Sequence, residues 1–167
     1  MMNDPAWIAQ AKKYLGQSEI KSPHHNPHIV RWWQNMGAPF KDDETPWCGA
    51  FVGGVLFETG IKPIKNGAMA RAWNSFGLKL TRPAVGCIVI FWRGSPSSAS
   101  GHVGFVVGKD QNGNLMVLGG NQSDAVNIKP FSRGRVVGYR WPGVRPYDER
   151  YNLPVIGSDG KVSTNEA

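Results

Sequence analysis

The second half of the chain changes from helical periodicity to short runs of strand-forming residues. Five such runs lie between Gly86 and Trp141, separated by turn residues: GCIVIFW, GHVGFVVG, NLMVLGGN, AVNIKPF and RVVGYRW. Short runs with intervening turns predict an antiparallel sheet. Because such a sheet must bury at least one face against another layer, we expect the first half of the chain to cover it.

Apolar residues in the first half of the 167-residue chain recur at helical spacing. They predict helices over residues 4–15, 27–37, 45–60 and 68–76, the first three ending at Gly16, Gly37 and Gly60. Helices first and antiparallel strands second indicate an α+β fold. We expect one domain over residues 1–142, followed by a polar tail over 143–167 that wraps the surface or frays.

The stretch TPWCGAFVGGVL places a cysteine at the start of the third predicted helix. Thr45 is the expected N-cap and Pro46 the first helical residue, so Cys48 falls in the first turn. Unpaired N–H groups there favour a thiolate and lower the thiol pKa. A buried, inert core thiol is the alternative, because free cysteines are among the most buried residues. Small residues on the other side of this helix are expected to allow close packing against the sheet: Gly49, Ala50, Gly53 and Gly54.

A cysteine nucleophile needs a base, usually histidine, and a third group that orients the imidazole. His102 lies on the predicted strand GHVGFVVG, and the next strand carries Asn121. The Asn112-Gly113 pair between them is a strong hairpin signal. A two-residue turn there pairs Gly104 with Asn121 and makes His102 its diagonal neighbour on the same face. A slip of one residue would put the two side chains on opposite faces.

Several of these motifs together resemble the CHAP and NlpC-type cysteine amidohydrolases, and more narrowly the small phage and bacterial peptidoglycan hydrolases. The motifs are TPWCGAFV, the strand beginning at Gly86, GHVGFVVG and LGGNQSDAVNI, and the similarity extends over about residues 7–142. The resemblance implies a papain-like fold, with Cys48 as nucleophile and His102 as general base and acid. It implies Asn121 as the polar third member, with Gln122 as the alternative.

The chemistry that this resemblance implies is attack of a thiolate on an amide carbonyl, followed by hydrolysis of the thioester. The bond is either the N-acetylmuramoyl-L-alanine amide or a linkage within the stem peptide of peptidoglycan. It implies no metal or other cofactor. One alternative is an injected antibacterial amidase toxin, which needs a cognate inhibitor protein. Another is a non-catalytic module that binds the cell wall or belongs to a phage tail.

One strand departs from the pattern of the group, because the usual Gly-Asp start reads Gly86-Cys87 here. Cys87 alternates with Val89 and Phe91, which indicates a packed structural thiol. Redox control would require Cys87 to lie near Cys48.

Residues beside the predicted nucleophile are expected to contact the substrate. Trp47 is expected to line the cleft, Asp43 to lie at its rim, and Gln122 to contact substrate if Asn121 orients the imidazole. The run Asp42 to Glu44 lacks the alternate spacing of a calcium loop. The run Pro23 to His28, with His24, His25 and His28, is not a familiar zinc pattern. We therefore expect a solvated loop and no metal site.

The formal net charge of +7 favours anionic partners. Among nucleic acid, acidic membranes and wall polymers, the motifs favour peptidoglycan; we expect no nucleic-acid partner, no membrane insertion and a monomer. The first residues, MMNDPAWIAQ, lack the apolar region of a secretory signal. We expect synthesis in the cytoplasm and access to the wall through holin-type release, virion delivery or specialised secretion.

Overall fold

Helices precede strands in the computed structural model, which describes residues 3–20, 24–43 and 45–164. The α-helices are α1 (Ala6–Lys12), α2 (Pro27–Asn35) and α3 (Cys48–Glu58). The strands are β1 (Leu78–Leu80), β2 (Ile88–Trp92), β3 (Gly101–Lys109), β4 (Leu115–Gln122), β5 (Ala125–Phe131) and β6 (Val136–Trp141). The predicted α+β class is confirmed, and the helix with a cysteine at its head packs on an antiparallel sheet, as in papain-like folds.

The six strands form one antiparallel sheet in the order β1-β6-β2-β3-β4-β5. The last five are the five runs recognised in the sequence. The first, β1, has only three residues and pairs with β6, so it was too short to be recognised by alternation. The predicted helix over residues 68–76 is a 3₁₀-helix over Ala70–Ser75.

Both faces of the sheet are covered by apolar side chains. On the side of the α-helices, Val103, Phe105 and Leu118 join the larger core with Cys48 and Phe51. On the other side, a second cluster buries the alternate residues of the same strands: Cys87, Val89, Phe91, Val106, Val117 and Phe131. The interpretation of Cys87 as a packed structural thiol is confirmed, because it lies in this second cluster with Val89 and Phe91.

Helix α3 begins at Cys48, later than the sequence predicts. Its N-cap is Trp47, which makes no side-chain capping bond. Thr45 was the expected cap, but its backbone N–H donates to the Asp42 carboxylate at 2.7 Å, which keeps it in the preceding turn. The Trp47 indole donates to Glu19 at 2.8 Å. Cys48 is therefore the first helical residue.

The small residues of α3 face α2 and a loop rather than the sheet. A methyl group on Gly53 would meet Met36, and one on Gly54 would overlap Trp32, both from the α2 region. Phe51 faces the sheet instead, edge-on to Phe105 with ring centroids 6.2 Å apart. The predicted glycine contact with the sheet is wrong because the sheet supplies its own space for Phe51.

This contact with α2 leads to a stability prediction. Gly54→Ala places a methyl group inside the Trp32 side chain, which is fully buried, and overpacking of this kind costs about 1–3 kcal/mol. We expect a lower free energy of unfolding in urea. The matched control is Gly157→Ala, since nothing lies within 4 Å of a methyl group there. Equal stability of the two variants would contradict the packing described.

The segment after β6 is hydrogen-bonded to the sheet. Lys109 at the end of β3 donates its backbone N–H to Pro154 and accepts from Ile156, at 2.9 and 2.7 Å. Tyr151 and Leu153 pack on the second cluster, on the face opposite α3. This segment thus covers the far face of the sheet. The division at residue 142 stays a prediction.

Candidate active site

The Cys48 thiol is buried at the head of α3, with 4% of the residue exposed. Burial raises its pKa, while the backbone N–H groups of Val103 and Gly49 and the charge of Arg93 oppose the increase; the net effect is a raised pKa. The lowered thiol pKa expected from the helix start is therefore wrong. Removal from water outweighs the N–H groups, so Cys48 rests as a neutral thiol.

His102 lies beside Cys48 along β3, but its ring lies on the other face of the sheet. The Val103 N–H acts on the thiol, and this nitrogen belongs to the peptide bond that follows His102. The imidazole stacks on Phe131, with planes 2° apart and centroids 5.2 Å apart, and on Phe91 at 6.3 Å. The thiol therefore lies next to the His102 backbone, while the ring packs in the second cluster.

β3 is paired with β2 but not with β4 beside His102. β3 pairs with β2 as far as Gly101, whereas its register with β4 ends at Phe105 opposite Leu118. Beyond Leu118, β4 continues with Gly119 and Gly120. A methyl group on Gly119 would lie 3.2 Å from His102 Nε2, and one on Gly120 would lie 2.7 Å from both Phe51 and Trp47. Glycine at these two positions therefore allows His102 to pack closely on one side of β4 and the α3 side chains on the other.

Gln122 is the hydrogen-bond partner of the His102 ring. Its Oε1 lies 3.0 Å from His102 Nε2. The Gln122 side-chain nitrogen donates to Val117 O at 3.2 Å, Asn127 O at 3.0 Å and Asn127 Oδ1 at 2.8 Å. Because these three acceptors fix the amide nitrogen, the oxygen must face the ring. An amide oxygen only accepts hydrogen bonds, so His102 carries its proton on Nε2.

The other ring nitrogen of His102 therefore holds an available lone pair. Nδ1 is buried and has no hydrogen-bond partner in the described part of the chain. Burial lowers the pKa of His102 to about 4, although its bond to Gln122 raises it, and the charges of Arg135 and Arg93 lower it further. The ring is neutral near pH 7, with a basic nitrogen that can accept a proton.

The His102 ring contacts Gln122 rather than Asn121 because the β3–β4 hairpin differs in two ways from the two-residue turn that the sequence suggests. Lys109 faces Leu115, and a register shift next to Val106 then places Phe105 opposite Leu118. Together these changes shift the pairing of β3 with β4 by two residues. The His102 side chain therefore lies on the predicted face of the sheet, but its predicted partner on β4 has changed.

The end of β4 then reverses the expected roles of two neighbouring residues. The register with β5 shifts by one residue between Gly119 and Gln122, and Asn121 takes a φ of 58°. In a regular strand Asn121 would share the side of Gly119. The extra residue moves Gln122 to that side instead, toward His102. Asn121 is buried at this bend, with 1% exposed.

The low pKa of His102 leads to a prediction about stability and pH. The pKa of His102 is about 4 in the folded protein, against an ordinary value of 6.5. Between these two pH values the unfolded chain therefore binds a proton at His102 that the folded protein does not. Stability therefore rises with pH. We expect the free energy of unfolding in urea to fall by up to about 3 kcal/mol from pH 7 to pH 4 through this group. His102→Gln should remove that component; parallel pH curves for the two proteins would contradict it.

Two predicted substrate contacts are buried structural residues. Trp47 has no exposed surface, and it packs against Trp32 and donates to Glu19. Asp43 is also fully buried. Its oxygens accept from the backbone of Ile20 and Asn26, at 2.7 and 2.8 Å. The prediction that both residues contact the substrate is therefore wrong. Trp47 and Asp43 are core residues, because their polar atoms are hydrogen-bonded within the fold.

The histidine-rich loop is tied to this same carboxylate. His25 Nδ1 lies 3.1 Å from Asp43 Oδ1. Burial raises the pKa of Asp43, but the backbone N–H groups and His25 lower it more, so the carboxylate stays charged. His28 packs edge-on against Tyr14, with ring centroids 5.1 Å apart. Pro23 and Glu44 lie outside the described residues. Within the described ranges no group of three or more metal-ligating side chains is found.

Two further features of the described chain bear on the predictions. Both cysteines are free and buried, and they lie in different apolar clusters. None of the helices in the described ranges is long and apolar enough to cross a membrane.

Comparison with known proteins identifies one family. The model of the CHAP domain matches residues 40–121. The matched region contains α3 with Cys48, the strand with His102, and Asn121; Gln122 follows it directly. A search of curated proteins found no significant match.

Proposed function

Because this chain carries a CHAP domain, a kind of domain that typically hydrolyses peptidoglycan amides through cysteine and histidine, we propose that it is an endolysin-like peptidoglycan hydrolase. Cys48 is the nucleophile, His102 the general base and acid, and Gln122 the residue that orients the imidazole. The observation that carries this assignment is the hydrogen bond of His102 Nε2 to Gln122. It leaves Nδ1 as the basic nitrogen of a histidine whose main chain runs next to the thiol at the helix start.

The proposed reaction begins with transfer of the Cys48 proton to His102 Nδ1, which requires the two atoms to approach across the stretch where β3 is not paired with β4. The sulfur then attacks the amide carbonyl carbon, and the carbonyl π electrons move onto oxygen. Backbone N–H groups at the start of α3 are the proposed donors to this oxyanion. As the tetrahedral intermediate collapses, the C–N bond breaks, and Nδ1–H protonates the departing amine. A thioester on Cys48 remains.

Water completes the cycle in the second half of the reaction. His102 Nδ1 takes a proton from the water, and the resulting hydroxide oxygen attacks the thioester carbonyl. Cleavage of the C–S bond releases the carboxylic acid, and the sulfur recovers the proton from His102. Each step uses the same nitrogen, because Gln122 and Asn127 hold the other one as a donor.

The raised thiol pKa and the lowered imidazole pKa indicate how the pair is activated. Both shifts have burial as their main cause. A thiolate–imidazolium pair is therefore not formed before substrate arrives, and the proton moves as the carbonyl binds. Alkylation of Cys48 by iodoacetamide in the free protein should accelerate with pH beyond 8 rather than reach a plateau near neutrality.

Mass spectrometry of digested sacculi tests the proposal. Purified peptidoglycan is incubated with the protein, and the released fragments are analysed. A free muramoyl lactyl group with a new alanine amine indicates an N-acetylmuramoyl-L-alanine amidase, and new termini inside the stem peptide indicate an endopeptidase. Intact amide bonds, or cleavage confined to glycosidic bonds, would contradict the proposed function.

A further inference from the structure

Three cationic side chains from separate segments converge on one cavity of about 370 Å³. Arg82 follows β1, Lys109 ends β3, and Arg133 lies in the 3₁₀ turn after β5. Tyr151 and Leu153 complete much of the lining, and both pack on the sheet face opposite α3. The cavity lies on the same sheet face as the His102 ring, but its lining includes none of Cys48, His102 and Gln122.

The two arginine side chains are held in place by contacts with the fold. The Arg82 guanidinium lies over the Tyr151 ring, 4.1 Å from its centroid. Arg133 Nε donates to the Gly113 carbonyl at 2.7 Å, which leaves its terminal nitrogens available. The backbone of Lys109 is hydrogen-bonded on both sides to the segment at Pro154. Restrained side chains lose less entropy on binding a ligand than freely rotating ones.

Among the described residues, no carboxylate lines this cavity or forms an ion pair with its cations. The cavity lining contains three cations and no carboxylate. The ion pairs of the described residues are Lys12–Asp4 and His25–Asp43, so none involves the cavity. Asp110 is the neighbour of Lys109, but its carboxylate accepts from Asn112, Asn114 and Ser158. Like charges repel when they converge, and a bound anion would offset that repulsion.

We infer that this cavity binds a phosphate group of an anionic cell-wall polymer with repeating phosphodiesters, an inference that rests on the proposed function for its biological setting. Guanidinium groups match phosphate oxygens in paired hydrogen bonds. The volume suits a phosphate with an adjoining polyol or sugar. A single concave site also favours one phosphate of a flexible polymer over the continuous track that a nucleic-acid backbone needs.

Such a site would act as an anchor. A protein held to the wall polymer through the far face of its sheet keeps the Cys48 face available for peptidoglycan. Binding at one site raises the effective concentration of substrate at the other. The two sites would thus contribute to activity on whole walls without sharing a residue.

The test measures binding of the full chain to purified poly(glycerol phosphate) by calorimetry at near-physiological salt. The variant Arg82→Gln/Arg133→Gln should bind about tenfold more weakly or worse, since each lost charge-assisted contact is worth that order of magnitude. The control, Arg31→Gln/Lys65→Gln, makes the same charge change at exposed residues outside the cavity. It should retain affinity within about twofold. Thermal unfolding checks that both variants are folded.

Further measurements distinguish failure of this inference from failure of the proposed function. Cys48→Ala should bind the polymer as well as the wild type, even if no hydrolysis is ever found. On sacculi stripped of phosphate polymers, the cavity variant and the wild type should hydrolyse equally. Absent polymer binding, or an equal loss in the cavity and control variants, would overturn the inference. Tighter, cavity-dependent binding of duplex DNA would also overturn it, in favour of a nucleic-acid site.

Discussion

Cys48→Ala is expected to lose essentially all hydrolysis of purified sacculi, with a fall in rate of at least about 10⁴-fold. The substitution removes the sulfur that forms the thioester in the proposed reaction. Turbidity of a sacculus suspension gives the rate. Because Cys48 is almost fully buried, thermal unfolding of the variant must accompany the activity measurement.

Cys87→Ala is the matched control for this experiment. It removes the other buried thiol of the chain, which lies in the apolar cluster of the opposite sheet face. Burial raises its pKa to about 12, so it is not a nucleophile at neutral pH. We expect about 1 kcal/mol lower stability and nearly unchanged activity. Undiminished clearing by Cys48→Ala would contradict Cys48 as the nucleophile, whereas wall binding without clearing by the wild type would favour a non-catalytic module.

Gln122→Leu is expected to lower kcat by about 10²–10⁴-fold with little change in KM. The amide oxygen fixes the proton of His102 on Nε2, and its loss allows the tautomer with the proton on Nδ1, which cannot act as a base toward Cys48. Wrong tautomers cost orders of magnitude in related triads. A ¹⁵N NMR spectrum of the histidines reports the tautomer directly, and a purely structural role for Gln122 would not change it.

Two companion variants separate the residues near this contact. Asn127→Ala removes one acceptor that orients the Gln122 amide and should lower kcat by about tenfold through the same change of tautomer. Asn121→Gly retains the positive φ of that position and removes the side chain. We expect Asn121→Gly to lose less activity than Gln122→Leu. The reverse order would restore Asn121 as the residue that acts with His102.

Much of the fold could be predicted because its signals are local. Alternation in β2–β6 marks the strands, and glycines mark the ends of the helices. The position of Cys48 at the head of a helix also follows from local chemistry, although Asp42 delays the helix start by holding Thr45. The three-residue strand β1 carries too little pattern for recognition, and only its pairing with β6 defines it.

The contacts that could not be predicted depend on the exact register and on burial. A register change in the β3–β4 hairpin and one extra residue near Gln122 exchange the roles of Asn121 and Gln122. Each shift costs little energy locally and leaves no mark in the alternation of side chains. Trp47 and Asp43 lie close to Cys48 in sequence, but their polar atoms find partners in distant loops. Sequence distance does not reveal such tertiary partners.

The order of strands in the sheet has a consequence for synthesis of the protein. β6 pairs with both β1 and β2, yet it is made more than 40 residues after β2 in sequence. Until it is made, one edge of the apolar strand Ile88–Trp92 has no neighbour, and open edges of this kind recruit other chains. Pairing between distant segments is also slow. Chains that end before residue 136 should therefore aggregate, whereas the complete chain closes that edge itself.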